Sequence, residues 1–261
     1  MCLIAFAWQQ HAEWPLIVLA NRDEFFQRPA QPAHWWADAP TLLGGRDLQA
    51  GGSWMGLSVS GRFAALTNFR DPSRPAANAP SRGALVRAAL ESTHSARRSL
   101  QQLAADSARY AGFNLLLGDG RQLGVLESHS GALKMLPPGV YGLSNHLLDS
   151  PWPKLVKVRE GLRQGLATLD SGNCPFAAAQ ALTLNLLRDD QPVADEALPS
   201  TGLSLEWERA LSAPFIRAPG YGTRCTSLLC VDRAGQTRLH EWSWDESGAL
   251  RSEVSHRFQR R

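Results

Sequence analysis

Apolar residues gather early in the chain into short runs rather than helical stripes. Residues 3–8 are uniformly apolar and too few for a stable helix, so they predict a strand. Residues 16–20 form a second run beyond the polar stretch 9–13, and the two predict a hairpin. Three more strands are predicted over residues 41–45, 53–59 and 62–68, with Gly61 in the tight turn between the last two. Residues 28–40 carry three prolines and the pair Trp35-Trp36, which predicts an ordered surface loop.

The period changes after residue 81. Leu85, Val86, Ala89 and Leu90 recur at helical spacing, and a second helix is expected to end near residue 110. Strands return at 113–117, 122–127, 132–136 and 140–144, separated by glycine and proline turns. Pro151-Trp152-Pro153 opens a helix in which Leu155, Val158, Leu162 and Leu166 share a face, and another runs from residue 175 to about 187. Residues 189–199 predict an exposed loop, and 224–231 with 237–244 a final hairpin around Arg233-Ala234-Gly235. The last ten residues are polar and are expected to fray.

Short connections between strands argue antiparallel pairing. Helices arriving in pairs suit layers packed outside two sheets. Neither a repeat nor a seam divides the chain, so residues 1–261 read as one α+β domain.

Composition narrows the classes. A chain of 261 residues, 44% hydrophobic, 20% charged and with a net charge of +3, is an ordinary globular protein without the basic stripe of a nucleic-acid binder. Its apolar runs fall far short of a bilayer span. The N-terminus lacks the positive region of a secretory signal. Four cysteines (Cys2, Cys174, Cys225 and Cys230) make neither a disulfide framework nor a paired zinc motif, so a reducing cytoplasm is expected, with no metal and no cofactor. Arginine supplies 24 of the 27 basic residues, and arginine is the better planar ligand for carboxylate and phosphate. The arginines are scattered, so the bias reads first as base composition of the source genome and second as an anionic partner.

Candidate chemistry begins at Cys2. Removal of the initiator methionine leaves a thiol and a free α-amine on one residue, nucleophile and base together. Asn21-Arg22-Asp23-Glu24 closes the second strand. There Asp23 is placed to orient that amine, and Arg22 to lower the thiol pKa. Strand geometry sends Arg22 and Asp23 to opposite faces. Asn68 and Asn145 end strands where side-chain amides can donate to an oxyanion. Tyr221-Gly222-Thr223-Arg224 adds a cation. Gly51-Gly52-Ser53-Trp54 reads as architectural, Cys225 and Cys230 as core thiols, and the histidines sit in no metal-ligand spacing.

Taken jointly and in this order, Met1-Cys2-Leu3-Ile4, Asn21-Arg22-Asp23-Glu24, Gly51-Gly52-Ser53-Trp54, Thr67-Asn68-Phe69-Arg70, Gly142-Leu143-Ser144-Asn145, Pro151-Trp152-Pro153-Lys154 and Tyr221-Gly222-Thr223-Arg224 resemble the NRDE family. That family, also called the transport and Golgi organisation family, is named for the tetrapeptide, and the resemblance spans residues 1–244. It is similar in turn to the cysteine branch of the N-terminal-nucleophile hydrolases, with penicillin V acylase, bile salt hydrolase and acid ceramidase. The resemblance implies a four-layer αββα sandwich, two antiparallel sheets between helix layers. It also implies Cys2 as nucleophile, Asp23 as partner of its amine, Asn68 and Asn145 as oxyanion or amine contacts, and Arg224 as a charge near the thiol. One departure stands out: the cysteine acylases carry an arginine three residues before the aspartate, where this chain has Ala20 and places Arg22 beside Asp23 instead.

The expected function is therefore an amidase or acyl-transfer hydrolase acting on a small amide or acyl compound. Secretory organisation, lipid or acyl-CoA handling and haem trafficking have been proposed within the family. The alternative is accordingly a non-enzymatic carrier of haem or acyl-CoA, whose apolar pocket and cationic mouth the nine tryptophans and many arginines would line.

Overall fold

The computed structural model describes residues 2–71, 79–169 and 175–261. Met1 and Cys174 lie outside them.

Alternation along the first strands sets the layers. β1 (Cys2–Trp8) and β2 (Leu16–Phe25) pair antiparallel and are buried on both faces. Leu3, Ala5, Ala7, Ile17 and Leu19 face one core, while Cys2, Ile4, Phe6, Val18 and Ala20 face another. Each fully buried large side chain here contributes about 1.5–3 kcal/mol of hydrophobic stabilisation. The first sheet is completed by β10 (Gly139–Leu143), β12 (Tyr221–Val231), β13 (Gln236–Trp244) and β14 (Leu250–Gln259), in the order β10-β1-β2-β12-β13-β14, with a two-residue β11 (Arg217–Ala218) on β12.

The second sheet is a meander of β3 (Ala30–Trp36), β4 (Ala39–Asp47), β5 (Met55–Ser58), β6 (Phe63–Asn68), β7 (Phe113–Gly118), β8 (Leu123–Glu127) and β9 (Ala132–Met135). α1 (Gly83–Glu91) and α2 (Ala96–Ala105) cover its outer face through Leu85, Val86, Ala89 and Leu100. α3 (Pro153–Leu169) and α4 (Pro175–Leu187) cover the outer face of the first sheet through Leu155, Val158, Leu162 and Ala179. The result is the expected αββα sandwich, every strand pair antiparallel. No helix among the described residues is long and apolar enough to cross a membrane.

Two sequence expectations are corrected, and one element went unread. Most of the loop expected over 28–40 belongs instead to β3 and β4. β3 is an edge strand that absorbs Pro32 in a register break between Gln31 and His34. The C-terminal stretch expected to fray is β14, paired along β13. Its inward positions Val254, His256 and Phe258 alternate with outward Glu253 and Arg257, a charged edge of low mean hydropathy. A short α5 (Leu205–Ala210), capped by the Ser204 hydroxyl accepting from Trp207 N–H, went unread because six residues carry too little periodicity.

Candidate active site

The ends of β1, β2, β6 and β13 converge on a cavity of about 750 Å³, and Cys2 forms part of its wall. The pairing explains what faces it. Cys2 lies opposite Arg22 in the β1–β2 ladder, and Cys225 lies opposite Arg22 on the other flank, so all three share one row and one face. Asp23, one residue on, turns to the helix-covered face, as strand geometry requires. Its Oδ1 accepts a 2.7 Å hydrogen bond from Thr223 Oγ1.

On that same side α3 presents Lys154 in its first turn. The lysine is 3% exposed and donates Nζ–H to the Leu211 carbonyl at 2.7 Å. Burial pushes the Cys2 thiol up to about 11, more than the nearby Arg22 guanidinium restores. Burial likewise raises the Asp23 carboxyl, against the opposing charge of Lys154, and lowers Lys154 to about 8, against the charge of Asp23. At neutral pH the thiol is therefore protonated and requires a base.

The two asparagines divide their work. Asn68 is half-buried and lines the cavity. Asn145 is fully buried: its Nδ2 donates to the Asn68 carbonyl at 3.0 Å, and its own carbonyl accepts from Arg70 N–H at 2.7 Å. Beside it Ser144 Oγ donates to the Cys2 carbonyl at 3.2 Å, tying the end of β10 to the start of β1. Arg224 also lines the cavity, with Nη1 donating to the Phe25 and Arg28 carbonyls at 2.8 and 3.0 Å. Its charge acts on Cys225 and Arg22. Arg82, at the start of α1, lines the same cavity as Cys2.

Sequence reasoning missed Lys154, Arg82 and Glu241. Lys154 had a signal, as one of three lysines in an arginine-rich chain. Arg82 and Glu241 had none, since each becomes relevant through a distant strand. Glu241 is buried on the cavity wall. Its Oε1 accepts from Ala33 N–H at 2.9 Å, its Oε2 from the Ser227 hydroxyl at 3.2 Å, and burial raises its carboxyl pKa. Cys225, expected as a core thiol, is buried but also lines the cavity, whereas Cys230 packs under the helices. The tryptophan pair lies elsewhere. Trp36 is buried beneath α1, and Trp35 packs edge-on against Phe258, while Trp54 and Trp244 reach the cavity. The glycine turn is architectural as expected: a Cβ on Gly52 would lie 2.5 Å from the Gly83 carbonyl carbon.

Residues 1–246 match the family described as Transport and Golgi organisation 2, and the chain belongs to that family. It is 34% identical to the Transport and Golgi organization protein 2 homolog of Bos taurus over 279 residues, covering 99% of each chain. It is 31% identical to the Homo sapiens homolog, covering 93% of each, and 28% identical to the Drosophila melanogaster protein, covering 92% of this chain and 90% of that one. Among solved structures it is similar to the Caenorhabditis elegans ortholog of N-acylethanolamine-hydrolyzing acid amidase, at a TM-score of 0.43 and 10% identity, covering 69% of this chain and 85% of that one. It is similar also to the C2A mutant of conjugated bile acid hydrolase from Clostridium perfringens, at a TM-score of 0.43 and 10% identity, covering 98% and 92%.

Proposed function

We propose that this chain is an N-terminal-cysteine amidase, or a related acyl-transfer hydrolase, acting on a small amide or acyl compound. One observation carries the reading: Cys2 begins a buried strand on a cavity wall, and Asp23, buried on the neighbouring strand, lines that same cavity. The backbone nitrogen of residue 2 opens the strand. Released from Met1, it becomes an α-amine with a reference pKa of about 7.7–8.0.

In the proposed reaction Cys2 Sγ attacks the substrate carbonyl carbon while its proton passes to the α-amine. The Asn68 amide donates to the tetrahedral oxyanion. Collapse breaks the carbon–nitrogen bond, and the ammonium returns the proton to the leaving amine. Water, giving a proton to the same α-amine, then attacks the thioester and releases a carboxylic acid and the thiol. Asp23 stabilises the ammonium form, and Lys154 compensates the charge of Asp23 from the helix side.

Intact-mass analysis after incubation with an electrophilic acyl probe tests this. The expected product is a chain lacking Met1 with one adduct on Cys2. Absence of an adduct from a chain already lacking Met1 would falsify it.

A carrier of a hydrophobic anion such as haem or acyl-CoA is the second reading, favoured by Trp54 and Trp244 standing in a cavity rich in arginine. Spectral titration with haem and acyl-CoA separates the two. Binding that survives Cys2→Ala, with no turnover by the parent, supports the carrier.

A further inference from the structure

The arginine surplus, scattered along the sequence, gathers at the cavity. Six arginines line it: Arg22, Arg28, Arg46, Arg82, Arg224 and Arg251. Two are already engaged by carboxylates. Arg28 Nε donates to Asp47 Oδ2 at 2.6 Å, and the Arg46 fork grips Asp38 while lying over the Trp36 ring. Arg22 is held loosely, 3.8 Å from Asp47 and 3.9 Å from Glu24. Among the described residues Arg82, Arg224 and Arg251 have no ion-pair partner.

Backbone carbonyls hold two of these guanidiniums in place without neutralising them. Arg82 Nη1 donates to Gly112 O at 3.0 Å, and Arg224 Nη1 to Phe25 O and Arg28 O. The acids of the wall do not restore the balance. Asp47 is shared with Arg28, Asp23 is turned to the helix layer, and both Glu241 oxygens are occupied by neutral donors. Only Glu24 remains, and it stands 3.9 Å from Arg22 and 4.0 Å from Arg28, forming no ion pair with Arg82 or Arg224 among the described residues. Burial lowers the pKa of both arginines, the mark of desolvated cations. Fixed guanidiniums in a concave wall, with no carboxylate within ion-pair distance among the described residues, are receptors for planar or tetrahedral oxyanions.

We propose that the substrate carries an anionic group, a carboxylate or a phosphate, received by Arg82 and Arg224. The inference rests on reading this cavity as the substrate site of the proposed amidase. It narrows the substrate class to compact amides whose acyl or amine part ends in an anion. Arg82 and Arg224 line the same cavity as Cys2, so the anion is received in the space that the thiol faces.

Binding can be read without turnover, because Trp54 and Trp244 line the cavity. Cys2→Ala protein is titrated by tryptophan fluorescence with three hexanoyl amides of matched length: those of β-alanine, O-phosphoethanolamine and butylamine. At least one anion should bind roughly ten- to a hundredfold more tightly than the neutral butylamide. The better of the two identifies carboxylate or phosphate. The advantage should shrink in Arg82→Gln and in Arg224→Gln, and at high salt.

Equal or tighter binding of the neutral amide overturns the proposal, as does failure of both anions to bind, or an advantage that both arginine variants retain. Where Arg82→Gln fails to fold after losing its Gly112 tether, Arg224→Gln and the parent ratio decide. Failure of the amidase reading looks different: selective anion binding persists, but the Cys2-intact chain cleaves none of the three. Cleavage of neutral and anionic amides at equal kcat/KM sinks the present inference alone.

Discussion

Arg22 lies directly across the β1–β2 ladder from Cys2, so guanidinium and thiol share the face that meets the cavity. The next side chain, Asp23, belongs to the other face, where Thr223 and Lys154 define its surroundings. One strand thus supplies a cation to the sulfur and a carboxylate to the opposite side of the sheet.

Arg22 opposes burial at the Cys2 thiol, which stands near pH 11. In protein retaining Met1, alkylation of Cys2 by iodoacetamide should rise about tenfold per pH unit towards that value. Arg22→Gln should slow alkylation at pH 8 by roughly three- to tenfold. Arg224→Gln, whose guanidinium is tethered to the Phe25 and Arg28 carbonyls, should change it by less than about twofold. Peptide mapping of the labelled cysteine reads both. Equal effects of the two substitutions would contradict the assigned geometry.

Asp23 tests the separation of stability from reactivity. Its carboxyl pKa is raised in the folded state, so its stabilising contribution is complete below the unfolded value of about 3.9 and is lost as pH rises through the folded value. At neutral pH the buried carboxylate is then a net cost. Asp23→Asn should leave the melting temperature unchanged or higher, while acyl labelling of Cys2 falls by at least about a hundredfold. A clear loss of Tm with labelling intact contradicts both halves.

Lys154 has the opposite titration. Its pKa falls to about 8 on folding, so between that value and the unfolded value of about 10.5 the unfolded chain binds more protons. The lysine's contribution therefore rises with pH across this window, by about 3 kcal/mol in all. The parent's stability should rise from pH 8 towards pH 10.5, and Lys154→Met, which leaves the Asp23 carboxylate uncompensated, should lack that rise. Urea denaturation at a series of pH values measures it, and a pH-independent difference refutes the assignment.

Arg70 and Glu208 form a 2.9 Å ion pair whose side chains are 5% and 6% exposed, with Arg70 lying over the Trp152 ring. This pair ties the end of β6 to α5. Either Arg70→Ala or Glu208→Ala should cost roughly 3–5 kcal/mol, because the remaining charge stays buried, and the double variant should lose much less than the sum. Strict additivity in denaturant unfolding would count against a coupled pair.

Much of this molecule was legible along the chain. The runs at 3–8 and 16–20 are β1 and the first half of β2, and the four strands after residue 112 fall close to their expected bounds. The helical faces of Leu85, Val86, Ala89 and Leu90, and of Leu155, Val158 and Leu162, are the ones buried. Apolar period is set by neighbours in sequence, so it survives reading without coordinates. β14 and β3 escaped because an edge strand needs few apolar residues and can hold a proline in a register break.

The site divides along the same line. Cys2 and the tetrapeptide at 21–24 could be named from the chain, and pleating alone sends Arg22 and Asp23 to opposite faces. Which face holds the cavity could not be read that way, because it depends on partners far along the chain: Thr223 donates to Asp23 across 200 positions, and Cys225 joins the row of Cys2 through β12. Burial of Lys154 and the gathering of six dispersed arginines belong to contacts between segments far apart in sequence. Charge carries no period that would announce such meetings, and a side chain's desolvation is a property of everything packed around it.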